Sequence, residues 1–138
     1  MCVDTRATRE LNSPEAVADL VDVFYAKVVA DAVLGPVFKD IDLRQHKLKV
    51  RAYWRKMLLG ERDGYRRNMI AQHKTLHARH PLQHRHFQRW LALFLETVDE
   101  RFSGNTATRA KRLASTIATH LETLLNEVGH QGEGYERT

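Results

Sequence analysis

Apolar residues recur at spacings of three and four along most of the chain, and nowhere does two-residue alternation hold for a strand's length. The first stripe, Val17, Leu20, Val21, Phe24 and Val28, follows Ser13-Pro14-Glu15. That triplet supplies a hydroxyl cap, a proline at the first helical position and a carboxylate near the positive end of the helix dipole. Gly35-Pro36 turns the chain, and a second helix is expected over residues 42–59, stopped by a left-handed Gly60. After the polar stretch ERDGYRRN, a short third helix is expected over 69–78, before Pro81 removes a backbone donor and interrupts the pattern. A fourth helix over 83–102 carries Phe87, Trp90, Leu91, Phe94, Leu95 and Val98 on one face, and Ser103-Gly104-Asn105 ends it. The fifth, capped by Thr106, sets Leu113, Ile117, Leu121, Leu124 and Val128 in one stripe before Gly129. The pattern predicts an all-α domain over 13–128, between a flexible segment 1–12 and a polar tail 129–138 expected to be disordered.

Composition narrows the class without choosing a chemistry. At 138 residues the chain is long enough for one domain with a real core, and it holds no run approaching the roughly 20 apolar residues of a membrane span. Cys2 is the single cysteine and the first residues lack the apolar core of a secretory signal, so a cytoplasmic protein without disulfides is expected. No apolar face is left over, which makes a monomer the default. The net charge of +5 and pI near 9.6 would suit a polyanion only if clustered on one face. Arg44, Lys47, Arg51 and Arg55 form the densest stripe, which reads as the solvated side of the second helix. A nucleic-acid-binding helical module is the alternative it leaves open, with binding that weakens steeply in salt.

Chemistry is best sought where an apolar stripe contains something it should not. In the second helix the inward face reads Leu43, His46, Val50, Trp54, Met57, so His46 points inward and needs a partner for its ring nitrogens. Tyr25 stands beside Phe24 at the edge of the first stripe and Trp90 sits in the middle of the fourth. Each carries a donor that wants an acceptor when buried. The segment NMIAQHKTLHARHPLQHRHF holds five of the eight histidines. His73 shares a face with Ile70 and His77, flanked by Met69 and Leu76, and the spacing of four could let His73 and His77 hold one metal ion. No third ligand follows at tidy spacing past Pro81, so a dedicated divalent metal site is a weaker alternative, with His80 and His84 read as solvated. If Tyr25, His46 and Trp90 converge from three helices, an inward histidine opposite them completes the arrangement of an axial ligand facing donors across a flat cofactor.

That arrangement, together with FYAKVVADAVLGPVF, HKLKVRAYW, MIAQHKTLH and HFQRWLALF in this order, resembles the truncated haemoglobins over residues 13–128, most closely their third group. The resemblance implies a 2-over-2 helical sandwich around haem b (iron protoporphyrin IX). By the same resemblance His73, 14 residues before Phe87, is the proximal iron ligand, and Tyr25, His46 and Trp90 are the distal residues. Phe38 then packs on the porphyrin and Lys49 offers a cation to a haem propionate. Val50, Trp54, Met57, Met69 and Phe87 are expected to wall the cofactor. The stretch between His73 and Phe87 is histidine-rich and longer than in many relatives, which leaves His77, one turn along the same face, as a competitor for the iron. His86 belongs to the His-Phe pair at a helix start and reads as structural. The implied function is binding of O2, CO and NO at a pentacoordinate iron. Redox chemistry with oxygen, nitric oxide or peroxide would need a reductase partner, which no segment supplies.

Overall fold

The computed structural model describes residues 8–61, 69–79 and 81–134. Helix α1 spans Pro14–Ala30, α2 Leu43–Leu59, α3 Met69–Arg79, α4 His84–Arg101 and α5 Asn105–Gly134, with a 3-10 turn at Gly35–Phe38 between the first two. The all-α expectation holds, and most helix boundaries follow the local signals. The Ser13 side chain accepts from the Ala16 amide, Asp42 caps α2 by accepting from Gln45, and Gly60 ends α2 at φ 79.

α1 packs on both α2 and α4, and α4 packs along α5, so that two helix pairs face one another. The α1 stripe is the centre: Val17, Leu20, Val21, Phe24 and Val28 are all buried, against Trp54 and Leu58 of α2 and Phe94 and Val98 of α4. Phe94 lies between two indoles, stacked on Trp54 at 5.0 Å and 19° and on Trp90 at 5.6 Å and 12°. This sandwich fixes the orientation of both tryptophans from behind.

The termini of the domain depart from expectation. Arg9–Glu10 (β1) pairs in parallel with Phe102–Ser103 (β2), and Leu11, inside the stretch expected to be flexible, is completely buried. The pairing lays the Arg9 guanidinium over the Phe102 ring at 5.7 Å. It is a two-residue, non-local ladder, too short to leave a period in the sequence. α5 begins at Asn105 rather than after a Thr106 cap, because Gly104 turns at φ 99 and its carbonyl accepts the Thr108 amide. It also runs through Gly129 to Gly134; glycine weakens a helix interior by about 1 kcal/mol but does not break its hydrogen bonds. Its most buried face is Ala107, Ala110, Ala114, Ala118, Leu121 and Leu125, while Leu113 and Ile117 pack from the side. Small residues there let α5 approach its neighbours closely. The expectations for Cys2, the polar stretch 62–68, His80 and the last residues, 135–138, lie outside the described residues.

Candidate functional site

Between α2, α3, α4 and α5 lies a cavity of about 460 Å³. α2 supplies one wall because His46, Lys49, Val50, Tyr53 and Trp54 fall on successive turns of one face. α1 and the turn after it add Tyr25, Leu34, Val37, Phe38 and Ile41. Facing them are His73 and Leu76 of α3, Leu82, His86, Phe87 and Trp90 at the start of α4, and Ile117, Ala118 and Leu121 of α5. The walls are mostly apolar, with a few polar groups in defined places, as small-molecule and cofactor pockets usually are.

The polar groups gather at two positions. On one, the Tyr25 hydroxyl lies 2.9 Å from His46 Nε2, with the rings 5.1 Å apart and nearly perpendicular at 85°. Phe38 packs edge-on against both, at 5.6 Å from Tyr25 and 5.5 Å from His46, and holds the pair in register. Burial pushes the Tyr25 phenol well above its ordinary value, and the Trp90 indole N–H, directed at its oxygen, offsets only part of this. Tyr25 therefore keeps its proton. Burial pushes His46 down to about 4, and the charges of His73 and Lys49 add to the effect, so His46 is neutral at pH 7. The second position is His73, carried by the short helix α3 across the cavity.

The histidine cluster separates by geometry. His73 lines the cavity, whereas His77 does not. His77 Nδ1 accepts the Leu82 amide at 2.9 Å and so ties α3 to the segment after Pro81. His84 Nδ1 meets Glu122 Oε2 at 2.7 Å, joining α4 to α5 rather than standing in water alone. His86 Nδ1 accepts the Gln83 amide at 2.8 Å, the reciprocal half of a capping box, and the same buried ring borders the cavity. Among the described residues no three His, Cys, Asp or Glu side chains gather to hold a metal ion.

Of the residues expected to contact a cofactor, Phe38, Lys49, Val50, Trp54 and Phe87 line the cavity. Met57 does not. It lies eleven residues beyond His46, about 16 Å along the helix, where its carbonyl accepts from Arg109 of α5. The Met69 side chain lies outside the described residues. Tyr53, His86, Leu82 and Ala118 were missed: Tyr53 sits one position from the inward stripe, and a proline-adjacent leucine or a helical alanine gives no directional signal. The basic stripe is partly compensated, Lys47 and Arg51 sharing Asp22 and Arg55 pairing with Glu61. No helix among the described residues is long and apolar enough to cross a membrane.

Comparison with known proteins identifies the family and the fold. Residues 10–126 match the bacterial-like globin family. The chain is 32% identical over 126 residues to the group 3 truncated hemoglobin ctb of Campylobacter jejuni, covering 87% of this chain and 96% of that one. The crystal structure of the group III truncated hemoglobin from Campylobacter jejuni superposes with a TM-score of 0.76 at 31% identity, covering 86% of this chain and 95% of that one. THB1 of Chlamydomonas reinhardtii matches with a TM-score of 0.64 at 26% identity, over 80% of this chain and 90% of that one.

Proposed function

Because the chain belongs to the bacterial-like globin family, which implies a haem cofactor, we propose that the cavity holds haem b, with His73 as the proximal iron ligand and Tyr25, His46 and Trp90 on the distal side. The observation that carries the reading is the placement of His73 and the Tyr25–His46 pair in one apolar-walled cavity. The residues suit the group: an imidazole for iron, aromatic and aliphatic walls for the macrocycle, and Lys49 for a carboxylate. Bound haem would supply an iron, held by His73, able to bind a diatomic gas such as O2, CO or NO.

The protein's contribution on the distal side is donors held in a dry place. Tyr25 holds a proton at its hydroxyl and is only 3% exposed, so its dipole is not competing with water. The Trp90 indole can only donate, and its stack on Phe94 keeps it aimed. Neutral His46 carries one ring proton and can donate or accept. A gas that draws negative charge on binding is stabilised by these dipoles, and a gas that draws little is not. Oxygen binding is the reading this preference supports, and redox turnover would require a separate reductase. Polyanion binding through the basic stripe is disfavoured by its ion pairs with Asp22 and Glu61.

The test is titration of the purified apoprotein with haemin, followed by reduction and exposure to carbon monoxide. Saturation at one haem per chain, with an absorption band that shifts on carbon monoxide, is the expected result. Failure to take up haem would reduce the relation to fold alone.

A further inference from the structure

The hydrogen bond between Tyr25 and His46 does more than pair two polar groups. The nitrogen that Tyr25 engages, at 2.9 Å, is Nε2, the ring atom at the tip of an imidazole that itself lines the cavity. Across that cavity stands a second imidazole, His73, on a different helix. An iron held by His73 would share the cavity with this second neutral imidazole, a side chain whose lone pair also suits iron.

We propose that Tyr25 is a latch on His46, holding Nε2 in a hydrogen bond so that His46 does not become a second axial ligand and the iron stays open to gases. The inference rests on the haem reading with His73 as proximal ligand. Phe38, edge-on to both rings at 5.5–5.6 Å, prevents the His46 ring from tilting while the bond is made. Release of the latch breaks one hydrogen bond and forms one dative bond from Nε2 to iron. No electron moves and the imidazole stays neutral; where Nε2 bore the proton, Nδ1 takes it. His46 is thus an iron ligand in reserve, and Tyr25 acts on coordination through it as a positioning residue. Removing the Tyr25 hydroxyl while keeping its ring should leave the packing against Phe24 and Phe38 intact and free the nitrogen.

The experiment is the absorption and electron paramagnetic resonance spectrum of haem-loaded wild type, Tyr25→Phe, Tyr25→Leu and Tyr25→Phe/His46→Ala, together with carbon monoxide binding kinetics. The wild-type ferrous protein is expected to be five-coordinate. Tyr25→Phe and Tyr25→Leu should show low-spin bis-imidazole signatures, and their carbon monoxide binding should reach a ceiling rate set by departure of His46. The double variant should return to five-coordinate iron and lose that ceiling. Five-coordinate iron in both single variants would overturn the latch, and so would a low-spin signature that survives in the double variant. A wild type that takes up no haem would instead remove the premise, a failure recognisable before any variant is made.

Discussion

Replacement of Trp90 by phenylalanine isolates one donor. Phenylalanine preserves a ring to stack on Phe94, where the indole now lies at 5.6 Å and 12°, and deletes only the N–H that reaches the distal cluster. A hydrogen bond to an acceptor carrying charge contributes about 1.5–3 kcal/mol, and each 1.36 kcal/mol is a factor of ten. Where the N–H turns from the Tyr25 oxygen to bound oxygen, its loss should accelerate oxygen release roughly 10- to 150-fold. Carbon monoxide draws less negative charge and its release should change much less. Stopped-flow displacement of each gas measures both rates. Unchanged oxygen release in a variant that retains haem would refute the donor role. Equal acceleration for both gases would show that Trp90 controls access rather than charge.

Two further outcomes follow from the same structure. Asp31 closes the end of α1 with a side chain only 6% exposed, accepting from Arg89 Nε at 2.6 Å and from the Val33 and Leu34 amides. Asp31→Ala should cost about 1–2 kcal/mol in urea unfolding, the worth of the cap, because the half-exposed Arg89 regains water when its partner is removed. Despite desolvation, which opposes it, the Arg89 and backbone donors hold the Asp31 carboxyl below the usual carboxylate range. Its stabilisation is thus complete above the unfolded-state value and lost as pH falls through the lower folded value; Asp31→Asn should flatten that acid limb, and an unaltered limb would disprove the assignment. Lys49→Ala should speed haem transfer to a scavenging protein by roughly two- to fivefold, the worth of an exposed ion pair, and the difference should shrink at high salt.

Local signals account for most of what the sequence reveals. The Ser13-Pro14 start, the α1 stripe and the Gly60 stop each depend on neighbours within one or two turns, and each stands where the pattern puts it. His46, Tyr25 and Trp90 were recognisable because a polar tip on an apolar face is unusual, and all three border one cavity. Features made by distant partners left no such mark. The pairing of Arg9–Glu10 with Phe102–Ser103 joins residues about two-thirds of the chain apart, and the alanine face of α5 is invisible to a pattern that counts bulky residues. Periodicity also cannot rank His73 against His77, which share a helix face. The distinction arises from tertiary structure, because the backbone after Pro81 returns to give its Leu82 amide to His77. Met57 shows the converse: a residue in the inward stripe does not line the cavity, because the cavity ends before the helix does.

The most direct test of the account is the iron–histidine stretching band in the resonance Raman spectrum of the ferrous protein, compared between wild type, His73→Gly and His77→Gly. The account predicts the band in wild type and His77→Gly, its loss in His73→Gly, and its return when free imidazole is added to that variant. A band that persists in His73→Gly and disappears in His77→Gly would contradict it.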